Sequence, residues 1–237
     1  YSLDDVLLKA ITEASYNKPT EIQRQAITLI LAKHDVMARA QTGTGKTAAF
    51  ALPILQQIVI NKSSVPKLRA LVLTPTRELA QQVFKSFSDY GKYTEIPMAL
   101  AYGGVSVKAQ ATAINAGVNI LVATPGRLLD HLHTGTVSLE DLQVIVFDEA
   151  DRMLDMGFKD EIDRILVQAP KVRQTLLFSA TFDEGIYNIS KRLLTNAKQI
   201  EIDNQNSVVD SVEQIVYSVD SDRKRELTSY LIGSKNW

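Results

Sequence analysis

The 237-residue sequence predicts an α/β domain with a mostly parallel sheet of about seven strands and helices on both faces. Short apolar runs recur at 35–39, 68–73, 98–102, 119–123, 144–147, 174–178 and 198–202. Several, such as Leu68–Leu73 with Arg69 as its one polar residue, are otherwise continuously apolar instead of alternating, as strands covered on both faces are. Between the runs, apolar residues recur at helical spacing, which is the pattern of crossover helices joining parallel strands.

Composition narrows the classes further. Hydrophobic residues make up 45% and charged residues 22%, ordinary for a globular domain, and no apolar run approaches the ~20 residues of a membrane helix. The absence of Cys excludes disulfides and zinc–thiolate sites and fits a cytoplasmic protein. A net charge of −1 argues against a broad basic surface for duplex DNA, so any nucleic-acid contact must rest on helix N-termini and a few Arg residues. The chain opens on Tyr1 with no signal segment, and so reads as trimmed. One domain is expected over 1–202, a polar linker over 203–211, and the truncated start of a second domain over 212–237, with a strand at 212–219 and a helix at 222–232. A monomer without membrane association is the expectation.

In chain order, Ser2 with Asp5 and Thr20 with Gln23 are spaced as capping boxes for helices running to about Ala14 and Ala32. Tyr16, between them, is placed to stack on a base, and the Gln23 carboxamide, with an acceptor and two donors, to read an adenine edge. Taken alone, a core Tyr and a solvated Gln are the simpler readings. The strand at 35–39 is followed by Ala40, Gln41, Thr42, Gly43, Thr44, Gly45, Lys46 and Thr47, and then by a helix to Ile60. A glycine-bearing loop between strand and helix lets backbone N–H groups and the helix N-terminus face anionic oxygens. Lys46 can then reach the β and γ phosphates of a triphosphate, and Thr47 can bind magnesium. Ala40 stands where the pattern usually begins with Gly, so that turn must tolerate a methyl group.

The next strands end in turns of a common kind. After 68–73 come Pro75, Thr76 and Arg77, with Thr76 as N-cap of a helix to about Gly91. After 98–102 come Gly103 and Gly104, then a helix near 107–116. After 119–123 come Thr124, Pro125, Gly126 and Arg127, with Thr124 as cap and Pro125 at the first helical position. Such turns suit a phosphate backbone laid across strand ends, although each is also simply a good helix cap. His131 and His133 are two apart, the wrong spacing for one helical face, and read as surface residues. The strand at 144–147 stops on Asp148 and Glu149, followed by Ala150 and Asp151. Acids at the carboxyl end of a buried strand sit where ligands bind in open α/β sheets. One carboxylate can hold magnesium through water, and the next can orient a water against the γ-phosphate. Ser179, Ala180 and Thr181 end the 174–178 strand, either as hydroxyls that bridge those acids to a moving partner or as the cap of a helix starting near Asp183.

Taken in order, YNKPTEIQ, AQTGTGKT, PTRELA, the Gly103–Gly104 pair, TPGR, DEAD and SAT resemble the DEAD-box family of ATP-dependent RNA helicases, from Tyr16 to about Ile202. DRMLDMGF at 151–158 resembles the RhlE-type bacterial branch. The resemblance implies an N-terminal RecA-like P-loop NTPase domain using ATP and Mg2+. By position it implies Gln23 and Tyr16 at the adenine, Thr42 to Thr47 at the phosphates, and Thr47 and Asp148 at magnesium. Glu149 would position the hydrolytic water, with Lys46 and Asp148 completing the catalytic group. Asp151, Ser179 and Thr181 would couple hydrolysis to strand separation. Pro75, Thr76, Arg77, Gly104, Thr124, Gly126 and Arg127 fall where the family grips the RNA backbone, without reading sequence.

The sequence departs from the family at Ser15, where Gly is usual, and Glu21, where Pro is common; Tyr1 lies about two positions too close to be the family's upstream adenine-covering aromatic. The second RecA-like domain, which supplies arginine fingers, has no HRxGR-like run here. A finger contributes roughly 10³ to 10⁵ in rate, so this chain is expected to bind adenine nucleotide and hydrolyse it very slowly. A DNA-directed translocase on the same scaffold and a nucleotide-gated scaffold without catalysis are the rival readings.

Overall fold

A computed structural model of the chain describes residues 3–41, 43–61, 66–202 and 215–235. The chain divides into two compact units, 1–202 and 203–237. In chain order the first unit holds α1 (Asp5–Glu13), α2 (Glu21–Leu31), β1 (Val36–Arg39), α3 (Lys46–Ile60), β2 (Ala70–Leu73), α4 (Arg77–Tyr90), β3 (Met98–Ala101) and α5 (Val107–Asn115). It continues with β4 (Ile120–Ala123), α6 (Pro125–His133), β5 (Val144–Phe147), α7 (Ala150–Asp155), α8 (Lys159–Gln168), β6 (Gln174–Ser179), α9 (Glu184–Leu193) and β7 (Lys198–Glu201).

The strands form one seven-stranded sheet in the order β3-β4-β2-β5-β6-β1-β7, with parallel pairing throughout. Because side chains alternate across a strand, each strand feeds two cores. Val72, Val122, Val146, Leu176 and Phe178 pack with Ile27, Phe50, Leu55 and Phe87 from α2, α3 and α4. Leu71, Leu73, Ile145, Phe147 and Leu177 pack on the opposite face with Leu128, Met153, Ile165 and Ile186 from α6 to α9. The β2, β4, β5 and β6 side chains are all buried, which explains why β2, β4 and β5 read as unbroken apolar runs, whereas β6 also buries Gln174, Thr175 and Ser179.

Local signals set the helix starts with some corrections. The cap of α1 is Asp4, whose carboxylate accepts from Val6 N; Ser2 of the expected Ser2–Asp5 pair lies outside the described residues. Thr76 Oγ1 accepts from Leu79 N at 3.2 Å, and Asp183 Oδ1 accepts from Ile186 N at 2.9 Å. Thr124 stands at the N-cap of α6, but its side chain makes no capping bond, and Pro125 begins the helix instead. His131 departs from the expected surface position. It is fully buried under α6, because α6 packs beside α5 and α8 and Gln110 of α5 supplies its ring with a polar partner, whereas His133 is exposed.

In the second unit a short 3-10 turn (Ser221–Arg223) leads into α10 (Lys224–Lys235). Residues 215–219 are not in a strand, against the expectation for 212–219; residues 203–214, including the expected linker, lie outside the described residues.

Candidate nucleotide site and the neighbouring strand-end face

Parallel strands place all their carboxyl ends on one edge of the sheet, and that edge carries every motif singled out in the first unit after β1. It divides into two halves. On one side β5, β6 and β1 are consecutive neighbours and lead into Asp148, Ser179 and the glycine loop. On the other, β3, β4 and β2 lead into Gly103–Gly104, Thr124–Arg127 and Pro75–Arg77. The halves meet where Asp148 N donates to Leu73 O at 3.0 Å.

The glycine loop folds as its sequence requires. Gly43 and Gly45 have φ of +83° and +92°, a region L side chains rarely enter. A Cβ on Gly45 would lie 2.5 Å from Gln23 Nε2, so this glycine also makes room for α2. Thr44 Oγ1 donates to Gln41 O at 2.7 Å and tightens the turn, while Thr42 lies outside the described residues. The Ala40 methyl group is accommodated by burial in the core, and Ala40 N donates to Ser179 O at 3.0 Å.

Lys46 and Asp148 both line a cavity of about 300 Å³, together with Gly43, Gly45, Thr47, Glu149, Tyr16 and Tyr90. Lys46 Nζ, Asp148 Oδ1 and Ser179 Oγ are buried and have no hydrogen-bond partner among the described residues. Buried polar atoms are normally satisfied, and orphans on Lys46, at the start of α3, and Asp148, at the end of β5, in one cavity mark a site shaped for a polar ligand. Burial pushes the Asp148 carboxyl up to about 6, against the pull of Lys46 and with a further push from Glu149. Glu149 sits at φ 55° and ψ 53°, a strained conformation for a residue with a side chain, and its carboxylate pairs with Arg152 Nη1 at 3.3 Å. Asp151 Oδ2 accepts from Ala180 N and Thr181 N, both at 3.1 Å, and from Thr181 Oγ1 at 3.3 Å. The SAT turn is therefore joined to the DEAD turn through Asp151, while the Ser179 hydroxyl points into no partner.

The donor set fits a magnesium–nucleotide complex better than a standing metal centre. Among the described residues no group of three or more His, Cys, Asp or Glu side chains could hold a metal ion. Magnesium is commonly bound by one or two carboxylates plus phosphate oxygens and water, which Asp148 and the Thr47 hydroxyl beside the glycine loop accommodate.

Gln23 is buried, and its carboxamide is engaged within the protein: Oε1 accepts from Thr20 N at 3.0 Å, and Nε2 donates to Gly45 O at 3.2 Å. It therefore links α2 to the glycine loop as well as lining an apolar cavity of about 160 Å³ with Leu3, Ile27 and Leu52. Tyr16 lines both cavities, half exposed, with its ring edge-on to Tyr90 and its hydroxyl 2.8 Å from Tyr90 Oη. Tyr90 had no sequence signal, since it lies 74 residues from its partner. On the other half of the edge, Arg77 is exposed over the ring of Tyr102 at 5.0 Å, and Gly104, at φ +83°, comes close to its guanidinium. Pro75 is buried, whereas Thr76, Thr124, Gly126 and Arg127 are partly exposed.

The fold and this site define a nucleotide-binding α/β domain in which a glycine loop and a pair of strand-end acids share one cavity. Residues 20–189 match the family model for the DEAD/DEAH box helicase, and the chain belongs to that family. It is 45% identical over 218 residues to the "ATP-dependent RNA helicase DeaD" of Buchnera aphidicola subsp. Acyrthosiphon pisum (strain APS), covering 92% of this chain and 36% of that protein. It is 41% identical over 233 residues to the "DEAD-box ATP-dependent RNA helicase RhpA" of Helicobacter pylori (strain ATCC 700392 / 26695), covering 98% and 46%. The chain thus spans roughly a third to a half of the length of these relatives. Among solved structures it is similar to a hypothetical ATP-dependent RNA helicase from Sulfolobus tokodaii, with a TM-score of 0.77 and 40% identity over 84% of this chain and 57% of that one. A DEAD box protein from the hyperthermophile Methanococcus jannaschii gives a TM-score of 0.79 and 35% identity over 98% and 62%. The first unit is a RecA-like domain. Among the described residues no helix is long and apolar enough to cross a membrane.

Proposed function

We propose that this chain is the ATP-binding part of an RNA helicase that couples ATP hydrolysis to local unwinding of RNA duplexes or remodelling of RNA–protein complexes. The observation that carries the reading is the pair of buried, unpartnered polar atoms on Lys46 and Asp148 lining one cavity, with the unpartnered Ser179 hydroxyl at the end of the neighbouring strand, in a chain of the DEAD/DEAH box family. In this reading the loop from Thr42 to Thr47 receives the phosphates, with the Lys46 ammonium among their oxygens. Gln23 and Tyr16 flank the adenine. Thr47 and Asp148 would hold magnesium largely through water, where the ion would neutralise phosphate charge and polarise the bond to be broken. Glu149 orients the attacking water, and its strained backbone aims the carboxylate. Asp151, Ser179 and Thr181 pass the change at the phosphates to the rest of the molecule.

Pro75, Thr76, Arg77, Gly104, Thr124, Gly126 and Arg127 form the RNA face in this reading. Helix N-termini, exposed backbone and Arg suit phosphates and 2′-hydroxyls instead of base edges. We further assign 1–202 as the helicase's first RecA-like domain, 203–211 as a linker and 212–237 as the beginning of the second. The chain works as a cytoplasmic monomer, and its DRMLDMGF run favours the RhlE-like branch. Without a second domain's arginine fingers it binds ATP and turns it over slowly. The test is ATP turnover by residues 1–237 with single-stranded RNA, single-stranded DNA or no polymer. Nucleotide binding with negligible turnover, and preferential retention of RNA, are expected. Stronger retention of DNA would favour the translocase reading, and RNA-stimulated turnover at a full-length helicase's rate would refute the need for a second domain.

A further inference from the structure

The strand-end face contains a buried polar junction that none of its motifs accounts for. Gln110 of α5 is 9% exposed, and its carboxamide is used at both ends. Nε2 donates to the carbonyl of Tyr102, at the end of β3, at 3.1 Å, and Oε1 accepts from Arg127 Nη1 at 2.8 Å. The orientation of the amide follows from chemistry, because a guanidinium only donates and a carbonyl only accepts. The same Oε1 lies 3.2 Å from His131 Nε2, which must therefore carry the proton; His131 Nδ1 is buried without a partner, leaving a neutral ring. Arg127 Nη1 also donates to Val105 O at 2.9 Å, and its Nε to Asp130 Oδ2 at 3.2 Å. Its side chain is only 9% exposed. Two of its nitrogens are thus committed within the protein, and the Nη2 group makes no hydrogen bond among the described residues.

We propose that Gln110 is a positioning residue for the RNA face: it ties the end of β3 to α6, holding Arg127 against the turn at 103–106 so that the turn backbone and Nη2 are presented together to a phosphate. This deepens the RNA reading of the face and rests on it. A guanidinium free to rotate would meet a phosphate only after losing side-chain freedom, and a glycine turn without a tether would meet it only after ordering. The Gln110 carboxamide removes both costs before binding. Gly103 and Gly104 supply a backbone that closely approaches a ligand but cannot hold its own shape, and Gln110 and Arg127 grip it from either end, at Tyr102 O and Val105 O.

The test uses the 237-residue chain with Gln110→Leu, the more conservative Gln110→Asn, which is too short to reach both partners, Arg127→Met, and the Gln110→Leu/Arg127→Met double variant. Without RNA, nitrogen-15 relaxation order parameters at 103–106 are expected to fall in either Gln110 variant while those of the sheet core stay unchanged. Unchanged order parameters at 103–106 would overturn the proposal. With a labelled single-stranded oligouridylate at low salt, Gln110→Leu is expected to weaken binding roughly three- to tenfold, the scale of one net hydrogen bond. The double variant is expected to lose less than the product of the two single losses, because part of the Gln110 effect passes through Arg127. Fully multiplicative losses would overturn it. Failure of the unsubstituted chain to bind any RNA would instead sink the RNA reading of the face, leaving the relaxation measurement to decide the tether.

Discussion

Replacing Asp148 by Asn separates what the site costs the fold from what it does. Asp148 is 3% exposed, and burial raises its carboxyl from an ordinary 3.8 to about 6. At about 1.4 kcal/mol per pH unit, the folded protein carries roughly 3 kcal/mol of unfavourable charge burial at neutral pH. Asn is the isostere of the neutral acid and escapes that cost, but its amide must find partners beside Lys46, which takes back about 1–2 kcal/mol. A net gain of ~1–2 kcal/mol raises the melting temperature of a domain this size by roughly 3–6 °C. The sign of the pH dependence follows from the raised folded value: the folded state holds its proton more tightly, so the cost is absent below about pH 3.8, grows as pH rises through about 6, and is complete above it. By pH 5 the gross cost has fallen to roughly half. The assay is calorimetric unfolding of ligand-free wild-type and Asp148→Asn chains, with chelator, at pH 7.5 and pH 5.0. A variant less stable than wild type at pH 7.5, or a gain that does not change between the two pH values, would refute the reasoning.

Other substitutions read other parts of the site. Lys46→Met removes the charge that pulls the Asp148 carboxyl down, so Asp148 should titrate above about 6 in the variant; carbon-13 carboxyl shifts report this, and an unchanged midpoint would contradict the coupling. Gly45→Ala and Gly43→Ala both force Ala to positive φ, costing roughly 1–2 kcal/mol, but only Gly45→Ala drives a Cβ to 2.5 Å from Gln23 Nε2. Urea unfolding should therefore show Gly45→Ala as clearly the less stable of the two, and equal losses would mean the loop does not lean on α2. His131 is held below its usual value by burial first and by Arg127 second, against Asp130, so its contribution to stability is complete above about pH 6.5 and declines as pH falls below it. His131→Asn should flatten that decline relative to wild type in melts between pH 7 and pH 5, and parallel curves would exclude His131 as its source.

Much of this was legible in the chain because the governing signals are local. β2, β4 and β5 are each four apolar residues buried on both faces, the length and continuity of a covered parallel strand. Thr76 and Asp183 cap because their side chains reach backbone only three residues away. The short α7 buries just Ala150 and Met153, too few positions for a helical period to declare itself, and α8 buries only Ile162 and Ile165. The contacts that tune the site are the least legible. Tyr16 meets Tyr90 across 74 residues, and Gln110 meets Arg127 and His131 across 17 and 21, pairings set by sheet order and not by neighbours in sequence. His131 was misread for that reason: spacing alone cannot reveal that α5 supplies its partner. The left-handed backbone of Glu149 is likewise invisible in a residue type that normally avoids it.

The account stands or falls on whether Lys46 and Asp148 serve one magnesium–nucleotide site. Calorimetric titration of the 237-residue chain with a non-hydrolysable ATP analogue, with and without magnesium, tests this most directly. One-to-one, magnesium-dependent binding that Lys46→Met abolishes, and whose magnesium dependence Asp148→Asn removes, is the predicted result. Binding that survives both substitutions unchanged, or that never depends on magnesium, would contradict it.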